Sequence, residues 1–417
     1  MQAAAVADPP PRARNLRRQV LAVTCSAHAV HDGFTDVLYL LLPIWQAGFG
    51  LDYAAVGMLR ALSSGTLAAL QVPSSWLARR IGGAAVLAGG TAVIGLAYLL
   101  AGASTGLVTL GATLVLVGVG LSTQHPIASS LVAQAYDGAG SRMALGTYNF
   151  AGDLGKMAVP AATGWLVAMM SWRPAVSVLG LFGCAAAVLI ALGLRALRTP
   201  AAAPSAADAA APSGAVAAAQ DTASAAATAT MRRGFRVLMA IGVIDSATRM
   251  AFLTFLPFVL RAKGAELPTV AIALTLIFAG GAAGKFVCGF LGQRLGVLGT
   301  VYLTEGLTAA GILALMPLSL TAGMIVLPLI GIALNGTSSV LYGTVPELTW
   351  PQQTERAFAL FYTGVIGSGA LSPVLYGALG DLVGAGWATA ATAAAALATF
   401  PLAFALAPHL ASRRGGA

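Results

Sequence analysis

The 417-residue sequence predicts an all-α membrane protein: twelve transmembrane helices in two six-helix bundles related by a pseudo-twofold axis along the membrane normal. Three observations carry that reading. Hydrophobic residues make up 58% of the chain and charged residues 9%, with mean hydropathy +0.83, whereas a soluble domain carries roughly 25% charged residues. Twelve apolar runs are long enough to cross the ~30 Å hydrocarbon core of a bilayer. The two halves also repeat at one offset: Pro43 and Pro257, Arg80 and Arg294, Gly82 and Gly296, Arg142 and Arg356, and Tyr148 and Tyr362 each stand 214 positions apart. A few identities arise by chance in an Ala- and Gly-rich chain, so the constant offset is what counts.

In chain order the apolar runs cover 20–44, 53–77, 84–103, 106–133, 142–168, 174–197, 234–260, 268–291, 297–319, 321–346, 356–381 and 384–408. Four arginines (Arg12, Arg14, Arg17, Arg18) precede the first run. They resemble the start of a signal peptide, but the length of the run and its internal His and Asp argue for a retained first helix. Between Thr199 and Thr230 the chain is almost wholly Ala, Pro, Ser, Thr and Gly, which reads as a flexible linker. The expected organisation is therefore a tail (1–19), a first bundle (20–198), a linker (199–233), a second bundle (234–408) and a short tail (409–417).

Placing both ends on one side gathers the N-terminal arginines, Arg79, Arg80, Arg142, Arg195, Arg198, Arg232, Arg233, Arg236, Arg294, Arg356, Arg413 and Arg414 there. The other side has Arg173, Arg261 and Lys263. By the positive-inside rule both termini are expected in the cytoplasm, with the protein in the inner membrane. The net charge of +9 is thus assigned to membrane orientation, and no nucleic-acid partner is expected. Cys25, Cys184 and Cys288 fall singly in apolar runs, so neither a disulfide framework nor a metal site is readable.

The stretch around which the chain is organised is HAVHDGFTDVLYLLLP, His28 to Pro43. Ionisable groups at membrane depth are expensive and are functional candidates by default. Counted at ~1.5 Å per residue from the helix starts, Asp32, Asp153 and Asp245 all come ~17 Å deep, near the bilayer midplane. Asp32 is the leading candidate for a proton carrier. His28 and Asp36, one turn to either side on the same face, can tune it or extend it. His31 points away and is expected to be structural. Asp153 with Lys156 and Asp245 with Arg249 are spaced to neutralise one another within a helix, or to yield one partner to a substrate.

Arg60 either snorkels to the headgroups or faces a cavity, and Lys285 carries the same two readings. Glu305 is more readily structural than functional. His125, beside the helix-bending Pro126, and Tyr148, Asn149 and Tyr362 complete the candidate cavity residues.

The loops SSWLARRIGG and GFLGQRLG resemble the loop signature of the major facilitator superfamily. Arg79, Arg80 and Gly82, with Gln293, Arg294 and Gly296, are the gate-loop candidates, and Arg79 and Gln293 stand where the superfamily carries an acidic residue. HAVHD with LLP, STQHPIASS and VPEL are similar to stretches of the fosmidomycin-resistance branch, with Ile127 where the branch carries Glu. Gly155, Pro160 and Gly164 keep part of a drug-antiporter pattern, with Val159 where glycine is usual.

The resemblance implies a central cavity lined by helices 1, 5 and 7, and proton-driven export of a small polar or amphipathic compound by alternating access. Proton-linked uptake of a small organic anion is the rival within transport, favoured by the basic residues at depth. A non-transporting sensor is a remote third, because the linker is too simple for a signalling domain. No nucleophile constellation, metal-ligand cluster or phosphate-binding G-x-x-x-x-G-K-[ST] loop is readable, so neither an enzyme nor a cofactor is expected. The expected partners are a small-molecule substrate, protons and membrane lipid, acting on a monomer.

Overall fold

A computed structural model describes residues 11–136, 138–196, 221–350 and 353–414. Helices α1 (Pro11–Phe49), α2 (Tyr53–Ile81), α3 (Gly83–Gly102), α4 (Leu107–Leu121), α5 (Gln124–Ala135), α6 (Gly138–Met169) and α7 (Trp172–Ala196) form the first bundle. The second holds α8 (Asp221–Ala262), α9 (Leu267–Leu315), α10 (Leu320–Thr344), α11 (Thr354–Val383), α12 (Ala385–Leu397) and α13 (Thr399–Arg414), with a 3-10 turn, Val345–Leu348, after α10.

Among the described residues, ten helical stretches are long and apolar enough to cross a membrane. The remaining two, α1 and α6, carry His28, Asp32 and Asp36 and Asp153 and Lys156, and those side chains lower their hydropathy. Together these make the twelve spans. α4 and α5 share one span, broken just before Pro126, which sits in the first turn of α5 where its missing N–H is not needed. α9 holds two spans joined without a loop at Gly296 (φ 70).

The tail expected over 1–19 is helical from Pro11. Residues 197–198 of the expected first bundle and 199–220 of the expected linker lie outside the described residues, and residues 221–233 already belong to α8.

The repeat reaches the backbone. Gly82 (φ 93) and Gly296 (φ 70) break the helices at matching positions, as do Gly50 (φ 63) and Gly264 (φ 88), again 214 apart. A side chain at such a φ costs about 1–2 kcal/mol, so glycine is the residue these breaks select. The arginines two residues earlier match as well. The Arg80 guanidinium lies 3.9 Å from the Trp76 ring centre and that of Arg294 lies 4.5 Å from Phe290.

On the side away from the termini the bundles are locked together. The Asp381 carboxylate on α11 accepts the backbone N–H of Tyr53 at 2.7 Å and of Ala54 at 2.9 Å. These are two of the unpaired donors that begin α2, while Asp52 accepts a third from Ala55 at 2.7 Å. The first turn of one bundle is therefore capped by the other. Gly57 and Gly377 lie against the backbones of Pro373 and Tyr53, which lets α2 and α11 touch. Tyr39 and Leu40 of α1 join Phe252, Leu256, Leu274 and Ile277 of α8 and α9 in one apolar seam.

Toward the termini α2 and α11 part. They leave an opening of about 640 Å³ lined by Gly65, Ala69, Val72, Thr363 and Ile366 among others. The centre of the molecule is thus sealed on the far side and open on the side of the termini.

Candidate functional site

Between the bundles lies a cavity of about 430 Å³ lined by both halves, within the usual size range for a small-molecule site. Helical periodicity puts His28, Asp32 and Asp36 on the face of α1 that lines it. Helix α6 supplies Asn149, Asp153 and Lys156. The two helices approach closely because Gly155 sits against the backbone of Ala29 and Gly152 against Asp32 and His28. A Cβ at residue 152 would lie 2.7 Å from both Asp32 Oδ2 and His28 Nε2.

The charges form one chain across the molecule. Lys156 Nζ is 3.3 Å from Asp32 Oδ2 and 3.7 Å from Asp153 Oδ1. Lys285 Nζ, from α9 of the second bundle, donates to both Asp153 oxygens at 2.7 Å. The pair within one helix that the spacing of Asp153 and Lys156 predicts is present at 3.7 Å, but Lys156 sits closer to Asp32 and Asp153 is also held by the opposite bundle.

His28 has one ring nitrogen fixed. Nδ1 is 2.8 Å from the Tyr148 carbonyl, which can only accept, so Nδ1 carries a hydrogen. Nε2 then faces Asp32 Oδ2 at 3.3 Å. Two acceptors repel, so that contact is favourable only with a proton on one of the pair. Tyr148 stacks on the His28 ring at 4.1 Å and its hydroxyl accepts from Gln124 Nε2 at 3.2 Å. His125, on the cavity wall, has Nε2 3.8 Å from Asp32 Oδ1 and meets the His28 ring edge-on.

Arg60 is buried and does not snorkel. Nη2 donates to the Tyr39 hydroxyl at 3.1 Å and the guanidinium lies 4.8 Å from that ring, while Nε and Nη1 have no protein partner. Among the described residues, no ion pair within 4 Å engages Asp36, which is also buried. His31 leaves the cavity to bond Thr91 at 2.8 Å, the structural place its phase on the helix predicts.

In the second bundle Arg249 lines the cavity, with Nη1 4.0 Å from Asp245 Oδ2 and 3.5 Å from Ser338 Oγ. Asp245 is not among the cavity-lining residues, in contrast to the expectation from its depth. It is buried inside the bundle, with Arg249 one turn along beside it. Depth along a helix says nothing about azimuth. Tyr362 lies at the side opening, stacked on Tyr342 at 4.7 Å, and not in the central cavity. In the gate loops Arg79, Arg80, Gln293 and Arg294 are exposed, and the side chains of Arg142 and Arg356 are outside the described set.

The three ligand atoms of His28, Asp32 and His125 lie within 4.8 Å of one another, a spacing that can hold a metal ion. Lys156 already places a positive charge against that carboxylate, which weighs against a second cation.

Gln124 and Asp381 are the residues that sequence reasoning did not place, and Lys285, left between headgroups and cavity, lines the cavity. Their partners lie on other helices, and the one available signal was the cost of a lysine or glutamine in an apolar run.

The description "Major Facilitator Superfamily" fits residues 24–326. A "Probable sulfoacetate transporter SauU" from Cupriavidus necator is 24% identical over 88% of both chains. Two solved structures of a bacterial homologue of the human lysosomal transporter Spinster share the fold. The unoccupied inward-facing form has a TM-score of 0.74 at 16% identity, covering 97% of this chain and 99% of the other. The occupied inward-facing form has a TM-score of 0.72 at 16% identity, covering 97% and 98%. With twelve spans, two repeats and a charged cavity between them, the chain belongs to the major facilitator superfamily, and its function is membrane transport.

Proposed function

We propose that this chain is a proton-coupled secondary transporter that carries a small organic anion by alternating access. The observation that carries the reading is the Lys285–Asp153 bridge between the bundles. The residues lining the cavity include four cationic side chains, Arg60, Lys156, Arg249 and Lys285, against three carboxylates, Asp32, Asp36 and Asp153. An anion that takes Lys285 leaves Asp153 without its partner, and a carboxylate that loses a cation binds a proton more readily. Anion and proton therefore assist one another's binding, and an inward proton gradient drives accumulation of the anion. Arg60 adds a further positive charge to the cavity wall, with Nε and Nη1 engaged by no protein group. The sulfoacetate named for the relative is a small organic anion.

Export by antiport is the second reading, and the Asp32–His28–His125 corner favours it. A cationic or amphipathic compound at that acidic pole would compete with the proton instead of assisting it. In both readings the distribution of arginines puts the termini in the cytoplasm, and one chain contributes the whole cavity, so a monomer suffices.

Proteoliposomes of known orientation separate the two. Labelled sulfoacetate should accumulate when protons enter with it, with alkalinisation outside, and Lys285→Gln should stop this. Accumulation driven only by an acid interior would replace the anion symport reading with antiport.

A further inference from the structure

At their far ends the two bundles are tied by one device built from different positions. Arg173, at the start of α7, donates from Nη1 to the carbonyls of Gly102 and Ser104 at 3.1 and 2.5 Å. Lys263, just past the end of α8, donates from Nζ to the carbonyls of Met316 and Leu318, both at 2.7 Å. Those carbonyls are repeat mates, since 102 and 316, and 104 and 318, each stand 214 positions apart. They belong to the turns after α3 and α9, where the last helical carbonyls lack partners and the helix dipole favours a cation. The cations are not repeat mates. Lys263 is matched by Phe49, the last residue of α1, and Arg173 is matched by Trp387. Cation and aromatic residue have exchanged places between the halves.

The exchange changes which helix the tie holds. In the first bundle it holds α7, none of whose residues lines the cavity. In the second it holds α8, which supplies Ser246, Arg249 and Leu253 to the cavity wall. The far end of α1 has ring contacts in place of a tie: Phe49 and Trp45 meet Trp172 edge-on at 5.9 and 6.5 Å, and Phe49 lies 5.9 Å from the Arg173 guanidinium. Among the described residues no side-chain hydrogen bond joins 44–49 to another helix, and the buried Trp45 Nε1 has no partner. Pro43 and Pro257, themselves repeat mates, each remove a backbone bond, to Tyr39 and to Leu253, and so give each helix one place at which its far end can swing.

We infer that the two far ends behave unequally during transport: the end of α1 beyond Pro43 swings clear of the seal, while the end of α8 beyond Pro257 stays fixed through Lys263 to the turn after α9. The inference rests on the alternating-access reading for its use in transport. Lys263 is then a positioning residue that acts through α8, and Arg173 serves stability alone.

Hydrogen exchange on the purified full-length protein reads the asymmetry without any substrate. Relative to free-peptide rates, amides of 44–49 should exchange on the order of tenfold faster than those of 258–262. Lys263→Gln should bring 258–262 up to the rate of 44–49, and Lys263→Arg should keep the wild-type protection. The decisive variant moves the cation, as Phe49→Lys with Arg173→Gln. Position 49 already neighbours Arg173, so the introduced amine reaches the Gly102 and Ser104 carbonyls as Lys263 reaches their mates. This double variant should recover the melting temperature lost in Arg173→Gln and slow exchange over 44–49. It should also lower uptake of labelled sulfoacetate into proteoliposomes by about tenfold, because the end that must swing is now tied.

A tie that serves only stability would restore melting and uptake together, and that result overturns the inference. Equal protection of the two far ends in the wild type overturns it too, as does a double variant that melts no higher than Arg173→Gln. Absence of sulfoacetate uptake by the wild type counts against the proposed anion cargo, and the exchange rates then decide the inference on their own.

Discussion

Lys285 and Asp153, 132 residues apart in the chain, are joined by two contacts of 2.7 Å where the second bundle meets the first. Because the pair bridges the bundles across the cavity, any rocking motion that changes their separation must lengthen or break it. In the proposed mechanism the pair is at once a binding element and a tie between the two bundles.

The first prediction concerns that tie. A hydrogen bond to a charged group contributes about 1.5–3 kcal/mol, and because the lysine opens onto the cavity the lower figure applies. Lys285→Gln should lower anion transport by on the order of tenfold or more, a loss of about 1.4 kcal/mol for each factor of ten. The Asp153→Asn/Lys285→Gln double variant should regain thermal stability lost in either single variant without regaining proton-coupled accumulation. Full accumulation in the double variant would remove the pair from the coupling mechanism.

Asp381 and the start of α2 give a second, conformational prediction. Losing a cap costs about 0.5–2 kcal/mol, and about 1 kcal/mol shifts a two-state equilibrium roughly fivefold. Asp381→Ala should therefore raise the population with the far ends of α2 and α11 apart. Spin-label distances between those two ends measure it, and an unchanged distribution would mean that the cap is not a latch.

Gly152 is the residue on which the acidic corner depends. An added methyl meets Asp32 and His28 at 2.7 Å, and because both are charged or hydrogen-bonded they cannot yield as a flexible apolar side chain would. Gly152→Ala should lose coupled transport while the protein still inserts and melts cooperatively. Wild-type activity in that variant would show that the corner has room to spare.

In the symport reading the proton taken up by Asp153, once the anion engages Lys285, sets the sign of the pH response. If anion and proton bind together, anion affinity rises as pH falls, and reciprocity makes the anion draw protons onto the protein. Calorimetric titration with sulfoacetate at several pH values should show tighter binding on the acidic side for wild type. It should show a weaker dependence for Asp153→Asn. A dependence equal to wild type in that variant would place the titrating group elsewhere.

The repeat makes a paired prediction for stability. Gly82→Ala and Gly296→Ala each force a side chain into a positive-φ, extended-ψ backbone at about 1–3 kcal/mol, and the matching geometry calls for similar losses in melting temperature. Markedly unequal losses would argue that one of the two breaks relaxes.

Much of the fold was legible in the order of residues. Apolar runs must be helical to satisfy their backbone groups in lipid, and the 214-residue offset reappears in the glycine breaks and in the arginines stacked on Trp76 and Phe290. The face shared by His28, Asp32 and Asp36 was legible for the same reason, since the helical period is a local property.

What one helix cannot specify is which neighbour its side chains meet. Lys156 pairs with Asp32 more closely than with its own neighbour Asp153, Lys285 reaches Asp153 from the other bundle, Arg60 turns inward, and Asp245 is buried away from the cavity lining. The sequence by itself determined the spans, the repeat and the presence of charge at mid-depth, because these follow from the cost of exposing backbone and charge to hydrocarbon. Only the tertiary structure decided the pairing, because ion pairs and hydrogen bonds depend on helix rotation and packing that no single run of residues encodes.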